Sequence, residues 1–178
     1  MQINAEILIP FPQSLVFATY RDQLLDLIPY LPNVKGIEPQ ARTEAEGRVQ
    51  LVNVWHGGGE IPPPARALLS ESMLSWTERT TWNPIDFTTD WQIETHAFTD
   101  AVSCIGKNYF LESNGGTKLV SKGKLAIDPS KIHGVPHFLA QMIAGVVEEF
   151  LGGKIEPNLL QLAAGVSAYL EQTSHALT

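Results

Sequence analysis

The chain has 178 residues, 44% hydrophobic and 17% charged, which suits one folded domain and not a disordered polymer. A formal charge of -7 and a pI near 5.1, with no dense run of Lys or Arg, argue against nucleic acid as a partner. The single cysteine, Cys104, excludes an internal disulfide and any metal site built from several thiolates.

The opening stretch MQINAEILIP places Glu6 where a secretory signal needs an unbroken apolar run, and no window reaches the length of a membrane span. A cytoplasmic protein is expected, with no transmembrane segment; transient contact with a membrane surface stays open. The same stretch has strand composition and is closed by Pro10 and Pro12. Val16, Phe17, Tyr20, Leu24, Leu27 and Ile28 then recur at helical spacing, with Ser14 as candidate N-cap. The Arg21-Asp22 step predicts a break between two short helices, and Pro29 and Pro32 end the second.

VKGIEPQARTEAE and GRVQLVNVWH read as strands. The segment after them, VWHGGGEIPPPARALL, sets three glycines beside three prolines. Gly57, Gly58 and Gly59 would let the chain leave the strand at a sharp angle. The prolines would pre-set φ for a short helix with Leu68, Leu69 and Met73 on its apolar face. A loose joint beside a stiff flap would serve as a gate over a cavity mouth; a fixed cover is the alternative.

Three further strands follow in WTERTTW, DFTTDWQIETHAF and AVSCIGKNYFL. SNGGT predicts a type I′ hairpin turn into a last strand, TKLVSKGKLAID. From Phe138 to Leu170 the apolar spacing is helical, and Gly152, Gly153 and Pro157 predict a kink or two helices in line. No second domain or repeat appears: one domain is expected over 1–172, with a tail at 173–178.

Register can be worked out from the turns. A two-residue loop at Asn114-Gly115 sets Phe110 opposite Leu119, Asn108 opposite Ser121 and Gly106 opposite Gly123. A tight turn at Thr99-Asp100 sets Ile93 beside Gly106 and Trp91 beside Asn108. A four-residue loop through WNPID brings Trp82 opposite Phe87 and Glu78 opposite Trp91. Trp76, Glu78, Thr80 and Trp82 then point inward, and Glu78, Asn108 and Ser121 form a short polar row on an apolar wall. A different loop length would send Glu78 to solvent and Arg79 inward. The glycines at 106 and 123 would either permit a sharp bend or leave room for a ligand.

This order, strand, two short helices, long antiparallel meander and long C-terminal helix, resembles the SRPBCC (START-like, helix-grip) superfamily. The residues that carry the resemblance are FPQSLVFATYRDQLLDLIPYLPNV, VNVWHGG, LSWTERTTWN and GKIEPNL. The IPPPARALL insertion is, more weakly, similar to PRELI-type lipid-transfer domains. The resemblance implies an α+β fold, a curved antiparallel sheet wrapped around a long C-terminal helix, with an internal cavity between them. It implies a hydrophobic small-molecule ligand such as a lipid, isoprenoid or polyketide. Trp76, Trp91, Ile93, Gly106, Phe110 and Gly123 would line the cavity with the polar row. Leu139, Met142 and Val146 would complete it from the helix.

Chemistry is sparse. His133 and His137 are four apart, but Gly134 and Pro136 between them argue for a loop and no metal is implied. His56 ends a strand and, with Glu78, is a low-ranking acid-base candidate. Cys104 falls on the inner face as a small apolar residue. No phosphate-cradling loop or nucleophile elbow occurs, and no cofactor is implied. The reading leans away from an enzyme. It favours a carrier or sensor, with a cyclase or dehydratase, or a filled core acting as an interaction module, as alternatives. Oligomeric state is not legible.

Overall fold

The computed structural model describes residues 1–58, 74–133 and 136–175. Its strands, in chain order, are β1 (Gln2–Ile9), β2 (Val34–Ala45), β3 (Arg48–Gly57), β4 (Ser75–Asn83), β5 (Thr88–Thr95), β6 (Val102–Ser113) and β7 (Gly116–Ile127). They form one antiparallel sheet in the order β1-β7-β6-β5-β4-β3-β2. Helix α1 (Gln13–Asp22) and a 3-10 helix (Leu24–Tyr30) follow β1, and α2 (His137–His175) crosses the inner face of the sheet. The α+β arrangement read from the sequence is the one observed. Of the expected gate over 57–73, residues 59–73 lie outside the described residues, and with them Gly59, Leu68, Leu69 and Met73.

The strands form where apolar and polar residues alternate, because a half-covered sheet buries one face only. In β7, Leu119, Ser121 and Leu125 turn inward, while Lys118, on the other face, pairs with Glu6 at 2.7 Å. Lys107 on β6 similarly meets Asp90 on β5 at 3.3 Å on the outer face of the sheet. The β6–β7 register is the one expected, with Phe110 opposite Leu119, Asn108 opposite Ser121 and Gly106 opposite Gly123. Its turn is not type I′, which would require positive φ at both Asn114 and Gly115. The positive values fall instead on Gly115 (95°) and Gly116 (149°). Gly116 needs to be glycine for a second reason: an added Cβ would strike the Ile9 carbonyl and lie 2.8 Å from Pro10 Cα.

Two other registers differ from expectation by two residues. Trp82 pairs with Thr89, not Phe87, because Phe87 leaves the ladder at φ 50° and turns its ring edge-on to Phe17 at 5.3 Å. Ile93 pairs with Cys104, not Gly106, because β5 ends at Thr95. There the Thr99 hydroxyl caps the Thr95 carbonyl and Phe98 takes φ 55°. A shift of two preserves the side-chain faces, so the inward set is unaltered.

The helices depart from the sequence reading in detail. Pro12, not Ser14, stands at the N-cap of α1, with no side-chain cap. Proline suits that edge, where its missing N–H is not needed. α2 is a single 39-residue helix through Gly152, Gly153 and Pro157, where an interruption was expected. Burial on both sides of the proline holds it together. Ile143, Ala144 and Val147 pack in one apolar cluster, and Ala163, Val166 and Leu170 in another. The helix continues to His175, beyond the start of the expected tail. No described helix is long and apolar enough to cross a membrane.

Candidate functional site

Between the sheet and α2 lies a cavity of about 150 Å³. Trp55 from β3 and Trp76 from β4 stack on one wall, with ring centroids 5.6 Å apart and planes 14° apart. Ile93, Cys104 and Leu125 supply the sheet floor, and Val147, Leu151 and Ile155 the helix side. Among the described residues this core is not filled, contrary to the expectation of the filled-core alternative. Gly58 and Leu74, which border 59–73, line the same cavity. Both expected joint glycines that are described are tied down. Gly57 N–H donates to the Leu74 carbonyl and Gly58 N–H to the Asn33 carbonyl, each at 2.8 Å.

Among the described residues, Glu78 is the carboxylate in this lining. Strand alternation puts it on the inner face with Trp76 and Thr80, while Arg79 is exposed. Trp55 Nε1 donates to its Oε2 at 3.1 Å. Part of the Glu78 surface remains accessible, and that part borders the cavity. Loss of water around the carboxyl pushes its pKa up to about 7, and the Trp55 hydrogen bond opposes that rise. Replacing Trp55 with Phe removes the donor, so the Glu78 pKa should move higher still; a side-chain carboxyl NMR titration reads the change, and a downward move would refute the assignment.

A smaller space of about 40 Å³ adjoins the first and shares Trp55, Glu78, Ile93, Leu159 and Leu162 with it. The expected polar row meets there: Glu78, Asn108 and Ser121 all line it, as do Trp91 and Ile93. Asn108 Oδ1 accepts from Trp91 Nε1 at 3.0 Å and from Ser121 Oγ at 2.7 Å, so this oxygen is already engaged. Glu78 therefore stands at the boundary between an apolar and a polar space.

The other residues expected to touch a ligand lie elsewhere. The Gly106–Gly123 notch is occupied by the protein itself: a Cβ on Gly123 would lie 2.6 Å from Trp91 Cη2, and one on Gly106 2.6 Å from Trp91 Cε2. Phe110 is fully buried in the aromatic core against Phe17 and Tyr20. Met142 is 61% exposed. Leu139 and Val146 pack beside the core clusters without lining either space. Apolar residues stand in adjacent pairs at Met142-Ile143 and Val146-Val147, so spacing alone left the inward face ambiguous by one residue and Val147 was missed. Leu151, Lys154, Ile155 and Asn158 were missed because they flank Gly152, Gly153 and Pro157, where an interruption was expected.

His56 is not a cavity residue. Trp55 points inward, so the next side chain points outward, where His56 Nε2 meets Glu38 Oε1 at 3.0 Å. His133 lies 3.9 Å from Asp100 on the surface. Among the described residues no cluster of His, Cys, Asp and Glu could hold a metal ion. Burial pushes the Cys104 thiol up to about 12, which leaves it un-ionised and unreactive near neutral pH.

The sequence matches no protein-family model and no curated relative. Solved structures do match over nearly the whole chain. The Zhui aromatase/cyclase from Streptomyces sp. R1128 superposes with a TM-score of 0.66 at 16% identity, covering 97% of this chain and 94% of its own. The chain has the helix-grip fold. The protein TTHA0849 from Thermus thermophilus shares that fold (TM-score 0.63, 21% identity, 95% and 99% coverage). Norcoclaurine synthase from Thalictrum flavum does too (0.62, 12%, 96% and 86%). The cavity lies where helix and sheet part: Ile143 and Val147 pack against Trp91, Cys104 and Leu125, and space is left beside them, toward Trp55 and Trp76.

Proposed function

We propose that the protein binds a hydrophobic small molecule in the cavity between the sheet and α2. The observation that carries this is a space of about 150 Å³ walled by indole rings and aliphatic side chains, with Glu78 as its carboxylate. That volume resembles an apolar cavity able to hold one benzene ring. A wholly enclosed occupant is therefore about one ring in size, and a longer molecule would extend past Gly58 and Leu74. Apolar burial at about 25 cal/mol per Å² supplies the affinity. Some of the protein structures that share the fold are named as an aromatase/cyclase or a synthase, which is compatible with a small organic ligand here.

Native mass spectrometry on gently purified protein tests the reading. Retained small-molecule mass, or uptake of added ethylbenzene, is expected. Leu151→Trp puts an indole into the space and should reduce ethylbenzene affinity at least about tenfold, since a filled cavity offers no area to bury. Equal binding by this variant, once shown to be folded, would contradict the assignment.

Glu78 favours a second reading, a cyclase- or dehydratase-like enzyme. A carboxyl with a pKa near 7 in a water-poor cavity can either give or take a proton at neutral pH. His56 has no part in it. Under this reading Glu78→Gln abolishes turnover of a polyketone surrogate and leaves ethylbenzene binding intact; under simple carriage no turnover is seen with either protein.

A further inference from the structure

The small space next to Glu78 is lined by two residues whose hydroxyl groups the fold leaves without partners. Tyr20, from α1, and Thr89, from β5, are 4% and 1% exposed, and both line it. Neither Tyr20 Oη nor Thr89 Oγ1 has a hydrogen-bond partner. Their neighbours are engaged with one another: Trp82 Nε1 donates to Thr80 Oγ1 at 2.9 Å, and Asn108 Oδ1 accepts from Trp91 and Ser121. A buried hydroxyl left unpaired is unfavourable, and an apolar side chain of the same shape would avoid that cost. Phe in place of Tyr, or Val in place of Thr, would serve the core better if packing were all that mattered.

Size and position restrict what can satisfy them. About 40 Å³ admits a substituent or a few water molecules and not a ring. The space abuts the larger cavity along Trp55 and Glu78, so an occupant of that cavity can project a group into it. Burial holds Tyr20 protonated, as a donor. The group it would meet is an oxygen able to accept, and Thr89 can either donate or accept.

We infer that this recess is a subsite for an oxygen substituent, a hydroxyl or carbonyl, borne by a ligand whose ring occupies the larger cavity, with Tyr20 and Thr89 as its specificity-determining residues. The inference rests on the cavity reading above and adds the ligand class: a mono-oxygenated aromatic or cyclic compound, not a plain hydrocarbon. The ligand oxygen completes the bonds that the fold leaves open, so an oxygenated ligand is held more tightly than its transfer out of water alone would predict.

Calorimetric titration of the whole chain with two probes, ethylbenzene and 4-ethylphenol, tests this on wild type, Tyr20→Phe and Thr89→Val. Each substitution deletes a free hydroxyl and little volume, so both variants should fold, which circular dichroism checks. The expected result is 4-ethylphenol affinity falling about three- to tenfold in each variant, with ethylbenzene affinity changing less than about twofold. Wild-type binding of both probes with no selective loss in either variant overturns the subsite and leaves the cavity reading standing. Failure of both probes to bind wild type overturns the cavity reading, and the subsite with it.

Discussion

Glu78→Gln should stabilise the protein at pH 8 and leave it unchanged at pH 4. The folded-state carboxyl titrates at about 7 and the unfolded one at 4.5. The folded state therefore holds this proton more tightly. The stability it contributes is complete below pH 4.5 and is lost as pH rises through about 7. The gap corresponds to at most about 3 kcal/mol. Asp22 works in the opposite sense: Arg21 and then Arg42 hold its carboxyl below the usual range, so its contribution is lost as pH falls. The wild-type curve mixes both effects, and the difference between wild type and Glu78→Gln isolates the first. Urea titrations from about pH 4 to pH 8.5 should give a difference that opens between pH 4.5 and 7. A flat difference would mean that Glu78 is solvated in the folded state.

Gly123→Ala should be among the most damaging small substitutions in the sheet. Its Cβ would lie 2.6 Å from Trp91 Cη2 and 2.8 Å from the Ile105 carbonyl oxygen. The carbonyl belongs to a paired strand and cannot move alone, and the indole is held by its bond to Asn108. Overpacking against ring and backbone should cost about 3 kcal/mol, or roughly 10 °C in melting temperature for a chain this size. Combining it with Trp91→Leu removes the ring contact, so the two effects should be markedly less than additive. Strict additivity would show that Trp91 does not plug the glycine notch.

That notch marks the limit of what the sequence displays. The pairing of Gly106 with Gly123 follows from Asn114-Gly115, because a two-residue loop fixes register without reference to distant parts of the chain. The occupant of the space does not follow: a gap made by two glycines looks the same whether an indole or a ligand fills it. Strand faces were equally legible, since an error of two residues at the β4–β5 and β5–β6 turns leaves parity intact. Glu78 was less legible: a four-residue loop through WNPID places it inward, and a loop one residue longer or shorter would send it to solvent. The registers themselves needed Phe87 and Phe98 in left-handed conformations, and local propensity disfavours those in phenylalanine. The inward face of α2 was hidden by adjacent apolar pairs, Met142-Ile143 and Val146-Val147, which fit two rotations of the helix equally well. Tyr20 was legible only as one of the helically spaced positions of the first helix, because an unpaired hydroxyl is a property of its surroundings and not of its spacing.

Intermolecular NOEs from bound ethylbenzene test the central claim most directly. With a single ring seated between the sheet and α2, its protons should show contacts to the methyl groups of Ile93, Leu125, Val147 and Leu151 together, drawn from both walls of the cavity. Binding with contacts only to exposed apolar residues such as Ile85, Phe138 and Met142 would place the probe on the outside and contradict the account.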